Sequence, residues 1–112
     1  MVKPWKTSKN VQGRSIRVLD LHLFSAALGR AAVRSYLESL LAGRRTLADD
    51  DLVIVVGKGL HSRNNAPVLG AAITKMVSEE YGIAASVVES NTGRLNIAKQ
   101  DLQKLIDTRG WT

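Results

Sequence analysis

Apolar and polar residues alternate from Ser15 to His22, which is the pattern of a β-strand with two different faces. On this alternation Asp20 and His22 point to the same side of the strand, about 7 Å apart along it. Both residues lie where the strand is expected to end, so the pattern places a carboxylate and an imidazole together at its C-terminal end.

A helical pattern and a second strand follow. Residues from Phe24 to about Ala42 carry apolar side chains at helical spacing, with Ser25 as a candidate N-cap and Gly43 as the stop. The apolar, β-branched run in Asp51–Val56 is typical of a strand buried on both faces. A strand–helix–strand unit of this length implies parallel pairing and a right-handed crossover, so both strands end at the same sheet edge.

The second half of the chain predicts another helix, a hairpin and a last helix. The helix begins in Asn64–Pro67 and stops at Gly82, the two strands occupy 84–89 and 94–97, and residues 98–108 form the terminal helix. The expected fold is α/β, of the two-layer α+β kind. It comprises a βαβαββ four-stranded mixed sheet, two helices packed on it and an extra C-terminal helix.

Composition narrows the class of protein. The 112 residues suit one domain, assigned to 15–109, while residues 1–14 lack apolar periodicity and are expected to form a basic flexible arm. The absence of cysteine excludes a disulfide scaffold and a thiolate metal site. No apolar run approaches the ~20 residues of a membrane span, and no secretory signal core is recognisable. We therefore expect a monomeric domain without a membrane partner that is not secreted.

The net charge of +6 is concentrated in two basic stretches. Residues 1–17 contain five basic residues and no acid, and residues 52–78 contain Lys58, Arg63 and Lys75 and again no acid. Such surfaces favour a polyanionic partner, and RNA and/or DNA is the first choice. A soluble domain with a basic leader would account for the charge equally well.

A glycine turn directly follows the second strand. Gly57 and Gly59 around Lys58 allow a sharp turn whose backbone N–H groups can converge on an anion, and Lys58 would add a positive charge. His61 follows within reach. Because parallel strands end at one edge, this turn is expected to meet Asp20 and His22 in space.

Four short motifs, in this order and on these elements, resemble the Smr (small MutS-related) domain. They are Leu19-Asp20-Leu21-His22, Gly57-Lys58-Gly59-Leu60-His61-Ser62, Pro67-Val68-Leu69 and Asn91-Thr92-Gly93-Arg94-Leu95. The resemblance covers about Ile16 to Ile97. The stretch Glu79-Glu80-Tyr81-Gly82 and the turn at 91–94 are similar to the C-terminal Smr domain of plant organellar pentatricopeptide-repeat proteins.

The resemblance implies a two-layer fold similar to the C-terminal domain of translation initiation factor three. It also implies nucleic-acid binding, with nicking or endonuclease activity in several members. The implied partner is the pentatricopeptide-repeat region of the same parent chain, and the implied location is the chloroplast or mitochondrion, or otherwise intracellular.

Two residues depart from the family pattern. Val56 stands where many members have His or Thr, and Leu23 stands where many bacterial members have Gly.

The chemistry expected at the shared edge is phosphodiester cleavage, which needs a deprotonated nucleophile and neutralised phosphate oxygens. The candidate catalytic residues are Asp20, His22 and His61, and the candidate nucleic-acid-binding residues are Gly57, Lys58, Gly59, Ser62, Arg63 and Arg94. Asp20 could orient His22 or hold a divalent metal, Mg²⁺ or Mn²⁺, that activates water. On RNA, attack by the 2′-hydroxyl needs no metal.

Other interpretations of the same residues stay open. Asp20 could be a structural carboxylate that accepts backbone N–H groups at the start of the helix. The whole domain could be a non-catalytic RNA- or DNA-binding module of a larger RNA-processing protein. Gly57–Ser62 nearly fits the G-x-G-x-x-G pattern of dinucleotide sites, although the chain is short for that fold. The domain could also be a protein-interaction domain.

The glycine turn generates a prediction about salt dependence. Replacing Lys58 by alanine should weaken nucleic-acid affinity and reduce the slope of log affinity against log salt by about one phosphate equivalent. Binding titrations over a series of salt concentrations measure that slope. An unchanged slope would contradict the phosphate-contact role of Lys58.

Overall fold

Five strands and three helices are present in the computed structural model, which describes residues 5–9, 12–57 and 65–110. In chain order they are β1 (Trp5–Lys9), β2 (Ser15–Asp20), α1 (Ala26–Leu41), β3 (Leu52–Val55), α2 (Asn65–Tyr81), β4 (Ser86–Val88), β5 (Asn91–Ile97) and α3 (Lys99–Arg109). The fold is α+β with one mixed sheet, which confirms the predicted class.

The strands lie in the order β1-β2-β3-β5-β4. β2 and β3 are parallel, with Val18 opposite Val53 and Asp20 opposite Val55, while the other neighbours pair antiparallel. The predicted β–α–β unit is therefore present. β2 and β3 end at the same edge of the sheet, called the C-terminal edge below.

The sheet has one strand more than the four predicted. The extra strand, β1, comes from the segment predicted as a flexible arm, and it pairs antiparallel with β2 from Trp5 opposite Leu19 to Lys9 opposite Ser15. The strand lacks apolar periodicity because it buries little: Thr7, Ser8 and Lys9 are all exposed. Lysines are typical of edge strands, since they discourage pairing with other chains.

The helices and one face of the sheet enclose a single hydrophobic core. Leu19, Ile54 and Leu95 occupy the centre of that face, and Leu102 of the terminal helix joins the same cluster.

The run 52–56 was predicted to be buried on both faces. Leu52, Ile54 and Val56 are indeed buried, but Val53 and Val55 are only half-buried. The reason is that the described helices pack on one face of the sheet, which gives two layers rather than three.

Local hydrogen bonds define the ends of the helices. The hydroxyl oxygen of Ser25 accepts from the backbone N–H of Leu28 at 3.2 Å, which confirms the predicted N-cap of α1. At the other sheet edge, the Asp51 carboxylate accepts from the backbone N–H of Lys99 at 2.8 Å and from Asn96 Nδ2 at 3.1 Å. These bonds attach the start of α3 to the start of β3.

Charged and polar groups join α1 to α2 at the end remote from the C-terminal edge. Arg34 donates two hydrogen bonds to the Glu80 carboxylate, at 2.9 and 2.8 Å. The Tyr81 hydroxyl donates to Glu38 Oε2 at 2.7 Å. Burial, together with the Glu38 carboxylate, raises the pKa of Tyr81, so its hydroxyl keeps the proton that it donates.

The first turns of α1 and α2 approach each other very closely at Gly29. A methyl group on this residue would collide with Cδ1 of Leu69, a side chain that is itself fully buried. A glycine at this position therefore allows the two helices to pack at this separation.

Gly29→Ala should destabilise the protein by about 1 kcal/mol, because overpacking of a core costs roughly 1–3 kcal/mol and exceeds the gain in helix propensity of about 0.5–1 kcal/mol. Gly70, also in a helix, is the matched control, since the atom nearest to an added methyl is Val56 Cγ2 at 3.8 Å. Gly70→Ala should stabilise the protein by about 0.5–1 kcal/mol. Urea unfolding of both variants measures the difference, and equal stabilities would contradict the close packing at Gly29.

Candidate functional site

At the C-terminal edge the chain reverses from β2 into α1 through a tight turn. The backbone N–H of Leu21 donates to the carbonyl of Val55 at 2.8 Å and extends the β2–β3 ladder by one bond. The backbone N–H of Phe24 then donates to the carbonyl of Leu21 at 2.9 Å. Residues 21–24 therefore form a turn that fixes the position of His22 relative to the end of β2.

Asp20 and His22 are in direct contact in this turn. Nδ1 of His22 lies 2.6 Å from Oδ1 of Asp20, and the same oxygen accepts from the backbone N–H of His22 at 3.3 Å. The predicted proximity is present, but a turn produces it rather than the shared face of one strand, because β2 ends at Asp20. Both side chains are accessible, Asp20 being 38% and His22 49% exposed.

The contact determines which imidazole nitrogen is basic. An ionised carboxylate only accepts hydrogen bonds, so the nitrogen that faces it, Nδ1, carries the proton. In the neutral ring this leaves the lone pair on Nε2. The contact with Asp20 therefore fixes the orientation of the His22 ring.

Asp20 also has a structural role, since it accepts the backbone N–H of His22 two residues further on; this bond lies in the turn before α1 and not at the start of the helix. This is the geometry of an Asx-turn, in which a side-chain oxygen stabilises a chain reversal. The two roles are compatible, since one carboxylate oxygen fixes both the backbone and the ring of His22.

Gly57 lies just after the end of β3, at the same edge of the sheet. Its backbone conformation is one that favours glycine. Its φ is +88°, in the left-handed region, and its N–H donates to the carbonyl of Gly93 at 3.1 Å. The N–H of Val56 donates to the same carbonyl at 2.8 Å. The second and fourth motifs are therefore in contact through the backbone. Sequence reasoning missed this role of Gly93, because a carbonyl acceptor has no side-chain pattern.

Arg94 lies in the same row of the sheet as Asp20. It is opposite Val55 on β5, and Val55 is opposite Asp20 on β2, so the three side chains share the sheet face not covered by the described helices. Neighbouring strands are about 4.8 Å apart, which puts the Cα atoms of Arg94 and Asp20 about 10 Å apart. Arg94 is exposed, so its guanidinium is accessible to solvent on this face of the sheet.

The remaining predicted site residues lie outside the described residues. They are Lys58, Gly59, His61, Ser62 and Arg63, and their roles stay predictions. The metal at Asp20 also stays a prediction: residues 5–9, 12–57 and 65–110 hold no group of three or more His, Asp or Glu side chains arranged for a metal ion. Within the same part of the chain, none of the helices has the length and hydropathy needed to cross a bilayer.

Comparisons of the chain with protein-family models, with curated proteins and with solved structures give no match. The resemblance to the Smr domain therefore depends on the sequence motifs alone.

The contact at 2.6 Å predicts the tautomer of His22. Nitrogen NMR of labelled protein, at a pH where the ring is neutral, should show a proton on Nδ1 and none on Nε2. In Asp20→Ala the preference for Nδ1–H should be lost. Asp107→Ala, which removes an exposed carboxylate on α3, should leave the His22 signals unchanged. A wild-type ring protonated on Nε2 would contradict the geometry.

Proposed function

We propose that this chain is a nucleic-acid-binding domain of the Smr kind, with endonuclease activity at the C-terminal edge of β2 and β3. The observation that carries the proposal is the contact of His22 Nδ1 with Asp20 Oδ1 at 2.6 Å. The pair is half exposed at the edge of a parallel β–α–β unit, where open α/β sheets bind their ligands.

Charge supports a phosphodiester as the substrate. From Met1 to Leu37 the sequence contains one acidic residue, Asp20, among seven basic residues, and from Leu52 to Ser78 it contains none. The one carboxylate of the first stretch is thus the one that orients the histidine. A negatively charged backbone could approach this edge with little repulsion from the protein.

In the proposed reaction, His22 acts as general base. Its Nε2 takes the proton of the attacking oxygen, either of water or of an RNA 2′-hydroxyl. That oxygen forms a bond to phosphorus while the bond between phosphorus and the leaving oxygen breaks. The leaving oxygen needs a proton, and His61 is the residue that the sequence proposes as its donor. Arg94 would neutralise a neighbouring phosphate.

A divalent metal would add to this chemistry without changing the residues involved. The Asp20 carboxylate would hold Mg²⁺ or Mn²⁺, which would supply an activated water. We propose RNA and/or DNA as the substrate. From the resemblance alone, we also propose a pentatricopeptide-repeat region as the neighbouring part of the parent chain and the chloroplast or mitochondrion as its location.

A non-catalytic binding module is the second candidate, and one observation favours it. Oδ1 of Asp20 bonds the backbone of His22 as well as its ring, so the turn could be maintained for its shape alone. Such a module would use the same basic edge and would bind nucleic acid without cleaving it.

Cleavage of end-labelled single-stranded RNA, single-stranded DNA and supercoiled plasmid, with Mg²⁺ or with EDTA, tests the proposal. His22→Ala should slow cleavage by about 10²–10⁴-fold, the usual contribution of a general base. Asp20→Ala should slow it as well, since the ring loses its orientation. Asp107→Ala is the control and should cleave as wild type does.

Four outcomes separate the candidates. Equal cleavage by wild type and by the Asp20→Ala, His22→Ala double variant would contradict the proposed site. Loss of cleavage in EDTA would assign the reaction to metal-activated water, and retention on RNA alone would assign it to the 2′-hydroxyl. Salt-dependent binding without any cleavage would establish the binding module instead.

A further inference from the structure

Two arginine side chains lie against one buried tyrosine ring at the margin of the core. The guanidinium carbon of Arg17 is 5.9 Å and that of Arg45 is 5.7 Å from the centre of the Tyr36 ring. Both distances are within the ~6 Å over which an aromatic ring attracts a cation. Tyr36 is buried, whereas the two arginines are half-buried. We call these three residues the arginine cluster.

The cluster lies on the other face of β2 from Asp20. Arg17 is two residues before Leu19, which is buried in the core, so Arg17 belongs to the face on which the helices pack. Its neighbour on β1 is Thr7, which is exposed. Asp20 is three residues further along β2, about 10 Å away, and on the opposite face. The cluster and the Asp20–His22 pair are therefore separate places on the molecule.

Arg45 is held against the ring by bonds to the end of α1. The backbone N–H of Arg44 donates to the carbonyl of Ser39 at 2.9 Å, which turns the chain back along the helix. Nε of Arg45 then donates to the Ser39 hydroxyl at 2.9 Å, and this hydroxyl donates to the carbonyl of Tyr36 at 2.6 Å. These bonds fix the position of the Arg45 guanidinium without any contribution from a ligand.

The electrostatic potential at the cluster is positive. Burial raises the pKa of Tyr36, while the charges of Arg17 and Arg45 act in the opposite direction because both lie near its hydroxyl oxygen. The two guanidinium groups also repel each other. An apolar side chain would cover the ring as well as an arginine does, so packing alone does not explain two cations at this place. An anion in contact with both would replace the repulsion by two attractions.

The acids next to the cluster in sequence have partners elsewhere. These pairs are Glu38 with the Tyr81 hydroxyl, Asp49 with the Ser15 N–H, Asp50 with the Arg14 guanidinium and Asp51 with the Lys99 N–H. Asp20, the one acid before Glu38, belongs to the other face of the sheet. A positive potential with the nearby carboxylates bonded elsewhere favours an anionic ligand.

Two arginines at one place suit a phosphate better than a carboxylate. The planar donors of a guanidinium group match the oxygens of either anion, two at a time. A carboxylate has one charge, which a single arginine balances. A phosphate monoester carries a charge of about −1.5 to −2 at neutral pH and has three terminal oxygens, so it can accept from two guanidinium groups at once.

We propose that Arg17 and Arg45 bind a terminal phosphate group at the margin of the core, between the edge strand β1 and the helix α1. The proposal goes beyond the endonuclease function, because this site is away from the Asp20–His22 pair and needs no cleavage. The phosphate can come from two sources, the phosphorylated end of a nucleic-acid strand or a small phosphorylated compound.

Nitrogen NMR of the arginine Nε–H groups measures this binding. Inorganic phosphate, added at constant ionic strength, should shift the Arg17 and Arg45 signals until they saturate, whereas sodium chloride should not. Arg45→Gln should weaken the affinity for phosphate about tenfold, the usual effect of losing a hydrogen bond to a charged group. Arg45 lies outside the helices and strands, so this variant keeps the fold, which far-UV circular dichroism checks.

Arg30→Gln is the matched control. Arg30 is also half-buried and its variant loses the same charge, but this charge acts on Glu80, where α1 meets α2. Arg30→Gln should therefore bind phosphate as wild type does. Arg45→Lys keeps the charge and loses the planar donors, so its affinity should lie between those of wild type and Arg45→Gln.

Oligonucleotides identify the source of the phosphate. A single strand that binds more tightly with a 5′-phosphate than with a 5′-hydroxyl, and only when Arg45 is present, would support the site and assign it to strand ends. Equal binding of the two strands, with saturable binding of a nucleoside monophosphate, would support the site and assign it to small compounds. An Arg17 signal that does not respond to phosphate, or an equal loss of affinity in Arg30→Gln and Arg45→Gln, would overturn the proposal.

Discussion

Parallel hydrogen bonding between β2 and β3 determines where the other parts of the molecule can lie. Two consecutive parallel strands need a crossover, so α1 runs back along the sheet and its first turn begins at the edge where β2 ends. The same holds for α2 after β3, and the two first turns meet at Gly29 and Leu69. Asp20, His22 and Gly57 lie in the chain reversals that this arrangement creates, so the candidate site is a product of the topology.

The sequence predicted those parts of the structure that have a local pattern. The spacing of apolar residues predicted α1, α2, α3 and the two parallel strands. The residue type of Ser25, whose hydroxyl can accept a backbone N–H, predicted the N-cap of α1. β1 could not be predicted, because a strand that pairs on one side and buries little needs no alternation. The contact of Asp20 with His22 was predicted, but its turn was not, since a six-residue strand and an eight-residue strand show the same alternation. The acceptor role of Gly93 has no side-chain pattern at all.

The two ends of the helical layer carry polar groups of different kinds. At the remote end, Arg34 and Glu80 form a two-bond ion pair and Tyr81 donates to Glu38, so the polar groups there connect one helix to another. At the C-terminal edge, the polar contact joins residues two positions apart and half exposed to water. Exposed pairs of this kind contribute little to stability. The Arg34–Glu80 pair is about as exposed, at 42% and 43%, so it too contributes little to stability. The two arrangements differ in what they join: the first connects two helices, while the second lies within one turn and is accessible to solvent.

The direction of β1 has a consequence for how the domain is tethered. Because β1 is antiparallel to β2, Trp5 lies opposite Leu19 and the chain comes into the sheet beside the end of β2. Arg109, by contrast, donates to the carbonyl of Glu80, at the end of α2 remote from that edge. A module fused ahead of Trp5 would therefore be anchored next to the Asp20–His22 pair, and one fused behind α3 at the opposite pole. A short linker before Trp5 would hold a ligand bound by that module near the Asp20–His22 pair, at about millimolar effective concentration. A linker of the same length after α3 would have to span the length of the sheet before the ligand could reach the pair.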